Sequence, residues 1–259
     1  MSYVFSVPFR DNIKLKRVVE AVREDKELQT LWKCANVMAI DRMGYTDHGP
    51  THIKIVANSA LQLLRILVKR GVTPSIVKDY KMKVEDAEVV VVLGSIFHDL
   101  GMIVIRKRHE IFGAMLAWKY VQKLLKPIYS EEERIVIGSE VLHAIVSHEH
   151  QRKPLTVEAG IVRIADALDM EQGRARIPFE AGKVDIHSVS ALSIERVEIQ
   201  EGKEKPIIIK ITMSNSAGVF QIDELLKPRI ENSGLQNHIH VVAEITGEKE
   251  RKIIKKFEI

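Results

Sequence analysis

Apolar residues recur every three to four positions along most of the first two thirds of the chain, the period of a helix buried on one side. The pattern predicts helices over 13–24, 26–43, 51–69, 84–100, 109–126, about 130–148 and about 155–170, with a further short one between 173 and 182. The punctuation agrees. Pro50 suits the first turn of the third helix and Gly71 the position after its last turn, with Pro74 reinforcing the break. Pro127 ends the helix that begins near His109, and Ser130 followed by Glu133 reads as a capping box for the next. Residues 84–100 are apolar on nearly every side, so that helix belongs at the centre.

After about Val184 the period changes to that of strands. Residues 189–200 and 206–213 alternate around a polar turn at 201–205, and 238–246 and 252–258 look like two more strands after a helix over 219–231. The predicted fold class is α+β: an all-helical domain over 1–183, then a small ββαββ C-terminal domain over 184–259.

Composition narrows the classes. The chain has 259 residues, 46% of them hydrophobic, which excludes a disordered chain and allows a sizeable core. The longest apolar run, 89–93, falls far short of the ~18 residues of a membrane helix. Residues 1–10 lack a signal-peptide pattern, and one cysteine, Cys34, excludes an internal disulfide framework and a Cys-based zinc motif. The expected setting is the cytoplasm, with no membrane partner. A net charge of +4, without a basic stripe interleaved with aromatics, predicts no specific nucleic-acid partner; the local cluster Arg106-Lys107-Arg108 stands out more.

Histidine is unevenly spread. Seven of the ten lie between 48 and 150: His48, His52, His98, His109, His143, His148 and His150. His52, His109, His148 and Asp166 each share a helix face with apolar neighbours and so point inward. A buried carboxylate such as Asp166 requires a partner. A metal held by several histidines would satisfy these groups together, and His98-Asp99, at the end of the apolar helix, can approach it from two directions. Such a mixed set suits Zn, Mn, Fe or Ni better than Ca.

The order His52…His98-Asp99…Asp166 resembles the HD-domain superfamily of metal-dependent phosphohydrolases, over roughly 45–182. The resemblance implies that His52, His98, Asp99 and Asp166 bind one metal, and that His109 and His148 hold a second with Asp99 bridging. It implies a divalent cofactor, two ions of Mn, Fe, Ni, Zn or Mg. The reaction implied is hydrolysis of a phosphate ester or phosphoanhydride by a metal-bridging hydroxide. Asp99 is then catalytic, and His48 or His143 can protonate the leaving oxygen. Lys153, Arg163, Arg174 and Arg176 are candidate phosphate contacts, the alternative being surface salt bridges. The branch that degrades cyclic di-GMP carries Gly-Lys after its His-Asp pair; Met102 stands at that Lys position here. The segment 161–169 with its strand-rich tail is also similar to exopolyphosphatase/guanosine pentaphosphatase proteins, which points to a nucleotide-type substrate.

Other readings use the same residues: a di-iron oxygenase on the same ligands, a nucleotide-sensing module without turnover, or an interaction protein acting through its tail. The expected partner is a small phosphorylated substrate. Edge-strand pairing of the tail would make a homodimer. The tail is expected to fold as a separate unit, to contribute no metal ligand, and to cover the mouth of the site or pair two protomers.

Overall fold

The computed structural model describes residues 5–172, 190–247 and 256–258. Eight α-helices lie within residues 5–168: α1 (Ile13–Glu24), α2 (Lys26–Asn36), α3 (Pro50–Lys69), α4 (Ser75–Tyr80), α5 (Val84–Phe97), α6 (His109–Leu125), α7 (Glu131–Ser147) and α8 (Val157–Leu168). Val37–Arg42 extends α2 as a π-helix, and Leu100–Ile103 follows α5 as a 3-10 turn. Pro50 lies in the first turn of α3, and Gly71 adopts the left-handed φ of +87° beyond its end. Both bonds of the capping box between Ser130 and Glu133 are made. The sequence reading missed α4, taking Pro74 as a break only. The first N–H groups of that helix, on Ser75 and Ile76, donate to the Glu158 carboxylate at 3.1 and 3.0 Å. A cap supplied from a distant helix leaves no local signature. The short helix predicted over 173–182 and the boundary at 183/184 lie outside the described residues.

Helix α5 is the axis of the helical part. Residues 86–97 are all buried, and the helix packs against α1, α3, α7 and α8. Burying each Val, Leu or Phe contributes roughly 1.5–3 kcal/mol, so this helix is a main source of stability. Gly94 permits the closest packing: a Cβ there would lie 3.1 Å from Ala144 Cβ on α7 and 3.2 Å from Val162 on α8. The carboxylates near its start are paired. Asp86 accepts from Lys14 at 2.8 Å and from the Tyr129 hydroxyl at 2.9 Å, and Glu88 accepts from Arg65 at 2.7 Å.

Four strands form one sheet in chain order: β1 (Ile194–Glu201), β2 (Ile207–Met213), β3 (Ile239–Ile245) and β4 (Lys256–Glu258). β1 and β2 form an antiparallel hairpin, β2 and β3 run parallel with Ile207 opposite Ile239, and β4 returns antiparallel to β3. A parallel pair needs a crossover. It consists of a 3-10 turn (Ser216–Gly218), one helical turn (Val219–Gln221), a π-helix (Ile222–Leu226) and helix α9 (Lys227–Glu231). The single helix predicted over 219–231 is thus interrupted. Pro228 has no N–H to donate, which removes one rung of a regular helix there.

On β2 and β3 every second residue, from Ile207 to Met213 and from Ile239 to Ile245, is buried. These side chains form one contiguous apolar cluster with those of the helices. α3 also holds the hairpin by polar contacts. Gln62 donates to the Ile199 carbonyl at 2.8 Å, Arg70 donates to the Gly202 carbonyl at 2.6 Å, and Lys69 pairs with Glu201 at 2.7 Å. No helix among the described residues is long and apolar enough to cross a membrane.

Glu140, on α7, is buried at 7% exposure, and its Oε2 has no hydrogen-bond partner among the described residues. Burial, together with the nearby carboxylates of Glu158 and Asp79, pushes its pKa up to about 7. The folded state therefore holds this proton more tightly than the unfolded chain. The stability it gives is complete below the ordinary carboxyl range and fades as pH rises through about 7. Glu140→Gln should remove that loss and raise stability at pH 8 by up to about 3 kcal/mol, with little change at pH 4. Urea unfolding across this pH range checks the difference; a variant curve parallel to that of the unmodified protein would refute it.

Candidate metal centre

The centre forms where helix ends meet. His98 caps α5, and Asp99 leads into the 3-10 turn Leu100–Ile103. That turn lies directly on the start of α6. A Cβ on Gly101 would fall 1.9 Å from the His109 carbonyl oxygen and 2.6 Å from the Gly113 nitrogen, so only glycine fits. The close approach aims His109, the first residue of α6, at Asp99. His52 comes from the first turn of α3, His148 caps α7, and Asp166 lies in the last turn of α8.

Asp99 divides its two oxygens. Oδ2 lies 3.4 Å from His52 Nε2 and 3.2 Å from His98 Nε2. Oδ1 lies 3.2 Å from His109 Nε2 and 3.9 Å from His148 Nε2. Asp166 Oδ1 joins the first pair, 3.3 Å from His52 Nε2 and 3.6 Å from His98 Nε2. Two ligand groups result, His52/His98/Asp166 and Asp99/His109/His148. The six residues assigned to metal from the sequence are thus brought together.

The far sides of the rings show that this set fits a cation. His52 Nδ1–H donates to Asp169 Oδ2 at 2.6 Å, His98 Nδ1–H to the Ser95 carbonyl at 2.8 Å, and His148 Nδ1–H to the Ile145 carbonyl at 2.6 Å. His109 Nδ1 lies 3.0 Å from the Arg106 carbonyl and 2.8 Å from the Arg106 guanidinium. A carbonyl only accepts, so these bonds favour a proton on Nδ1 of His52, His98 and His148 and turn the lone pair of Nε2 inward; on His109 the guanidinium, which only donates, competes with the carbonyl for the same nitrogen. The Nε2 atoms of His52 and His98 are 3.0 Å apart, as are those of His109 and His148. Only a proton on one ring or a shared cation satisfies two such facing lone pairs.

The electrostatics favour positive charge here. Burial resists ionisation of Asp99, but His98 and the other rings around it outweigh this and hold its carboxyl well below the usual range. Asp166 is likewise held low against its burial, chiefly by Arg229 and by His52 and His98. Burial works against charge on His98, but Asp99 and Asp166 prevail and push it up to about 9. His148 moves the other way, down to about 3, through burial and the neighbouring rings of His98 and His109.

The remaining candidates are scattered. His48 is buried beside the centre, its ring centroid 5.8 Å from that of His52 and its Nδ1–H donating to the Thr46 carbonyl at 2.7 Å. His143 is engaged elsewhere: its Nε2 accepts the Leu155 N–H at 3.0 Å and Ser147 Oγ lies beside the ring, so it braces the start of α8. Arg163 is fully buried and donates to the Arg152 and His150 carbonyls. Its guanidinium holds the 150–152 loop, which corrects the expectation of a phosphate contact. Lys153 is exposed. Arg174 and Arg176 lie outside the described residues.

Sequence reasoning missed four neighbours of the centre. Asp169 supports His52, and Arg229, from α9, donates to Asp166 Oδ2. Glu110 and Glu149 form a further group with His109. The glutamates each follow a site histidine in the sequence, a signal that was available; Arg229 carries none.

Residues 51–171 match the HD domain family. The chain is also 47% identical to Uncharacterized protein MJ1020 of Methanocaldococcus jannaschii, over 94% of this chain and 93% of that protein. The chain belongs to the HD-domain family. More distant relatives include Ribonuclease Y of Thermoanaerobacter pseudethanolicus, 29% identical over 52% of this chain, and Ribonuclease Y of Desulforudis audaxviator, 29% identical over 53%. Each of those matches spans 26% of the Ribonuclease Y chain. No solved structure matches. HD domains bind divalent metals, and the His/Asp groups described above are where this one can hold them.

Asp169→Asn keeps the shape of the His52 partner but removes its charge. Because such supporting groups fix ring orientation and basicity, the variant should bind a divalent ion about 10–100-fold more weakly. Calorimetric titration with Mn measures this; unchanged affinity would show that the Asp169 carboxylate does not support the centre.

Proposed function

We propose that this protein hydrolyses a phosphate ester or phosphoanhydride bond of a nucleotide-type substrate, using two divalent ions. The single observation that carries the reading is the Asp99 carboxylate, shared between two pairs of inward-facing imidazoles. His52, His98 and Asp166 would hold one ion with Asp99 Oδ2; His109 and His148 would hold the other with Oδ1. Bound there, the ions supply Lewis acidity to a phosphoryl group and lower the pKa of water. The chain's own part is to fix the geometry and handle protons. Asp99 sets the spacing of the two halves, and the four Nδ1 bonds keep each ring in one orientation. His48 is the residue we assign to give a proton to the leaving oxygen, its ring oriented by the Thr46 carbonyl. The name of the two distant relatives, Ribonuclease Y, says that those proteins cut RNA, which supports a P–O bond of a nucleotide as the target. The family supports phosphohydrolysis more generally.

The test is a screen of nucleotides, phosphodiesters and phosphoanhydrides with Mn, Ni, Co, Fe and Mg, alongside metal analysis. Release of phosphate or nucleotide should require an added ion and stop with chelator. Asp99→Ala should lose metal and activity together, by more than the roughly 100-fold that loss of an outer support costs. His109→Ala should keep one ion and weaken the second; the same single ion in both proteins would refute the two-ion reading. A loaded protein that cleaves no phosphorylated compound, and consumes oxygen with iron, would replace hydrolysis by the oxygenase alternative.

A further inference from the structure

Asp166 has two oxygens and uses them differently. Oδ1 faces His52 and His98, while Oδ2 accepts a hydrogen bond from Arg229 NH1. Arg229 lies on α9, in the crossover between β2 and β3, 63 residues from Asp166 and beyond the residues 51–171 that match the HD domain. The pair is largely dry, with side-chain exposures of 20% for Arg229 and 11% for Asp166.

The approach of α9 is fixed by the backbone. Gly160, on α8, lies against the loop after α9: a Cβ there would fall 2.5 Å from the Ser233 carbonyl oxygen and 3.3 Å from Leu235. Ser233 ties that loop down, its Oγ–H donating to the Ile230 carbonyl at 2.6 Å and its Oγ accepting the Leu235 N–H at 2.9 Å. Gly160 and Asp166 are six residues apart, about 9 Å along the helix. The crossover is thus anchored on α8 at two points, and one of them is a carboxylate of the metal centre.

We propose that Arg229 is a positioning residue of the metal centre: by holding Asp166 Oδ2, it presents Oδ1 alone to the cation and makes the C-terminal segment part of the centre. A carboxylate with both oxygens unconstrained can rotate and bind through either or both. A charge-assisted bond from a guanidinium stops that rotation. Among the described residues the tail supplies no ligand to the two groups, yet it sets the orientation of one. The inference rests on the metal-centre reading above.

Cobalt(II) titration separates the two ideas, with affinity read by calorimetry, coordination by the visible spectrum, and folding by thermal melting of the metal-free proteins. His98→Ala, which removes a ligand, is the reference for a damaged centre. Arg229→Gln should melt as a folded protein, bind Co about 10–100-fold more weakly and show an altered spectrum. Arg229→Lys, with charge but without the planar fork, should fall between. An Arg229→Gln variant with unaltered affinity and spectrum, beside a damaged His98→Ala, overturns this proposal and leaves the metal reading standing. An unmodified protein that binds no Co overturns both. Should Arg229→Gln not fold, Gly160→Ala takes its place: it leaves every ligand intact but forces α9 away from α8. Its Co affinity should fall, and an unchanged value overturns the proposal.

Discussion

A carboxylate removed from water is tolerated only where positive charge or hydrogen-bond donors replace the solvent it has lost. Asp99, 4% exposed, finds them in imidazoles drawn from four separate helix ends. Much of the helical arrangement answers to that requirement. α5 delivers the His98-Asp99 pair to the interior, so it has to be apolar all round. The ends of α3, α6, α7 and α8 meet around the same point and bring the remaining ligands to it. The glycines at 94 and 101 follow from the same demand, since each removes a side chain where two elements meet close to the centre.

The two halves of the centre differ in what surrounds them. The half with His52 and His98 has both aspartates nearby and holds His98 cationic near neutrality when no ion replaces the proton. The half with His109 and His148 has the second oxygen of Asp99 and, beside His109, Glu110 and Glu149, while burial and the neighbouring rings push His148 down. Asp169 and Arg229 brace the first half.

How far the sequence revealed this depended on the range of each interaction. Capping by Ser130 and Glu133, termination at Gly71 and the apolar girth of α5 are local, and they were legible. The ligands were legible because each sits at a recognisable break or on an apolar face. What escaped was long-range. Glu158 caps α4 across some eighty residues, and Asp169 and Arg229 reach the centre from afar. Arg163 misled because arginine is usually a surface residue. Here backbone carbonyls of the 150–152 loop satisfy two of its groups in the interior. His143 misled for a similar reason, since a histidine near the ligands in sequence serves as an acceptor for a neighbouring backbone. The alternation of β2 and β3 was clear, but their parallel pairing depends on the crossover and not on either strand.

The contact of Gly101 with the start of α6 has an evolutionary side. Asp99 and His109 are registered to one another by backbone touching backbone, and not by the chain that connects them. The connection itself, residues 104–108, is an exposed turn that carries three basic side chains and a left-handed Arg108. Within it Arg106 braces the His109 ring, whereas the side chains of Val104, Ile105, Lys107 and Arg108 are exposed. Those exposed side chains can therefore change without moving either ligand, because the Gly101 contact and Arg106 hold the register.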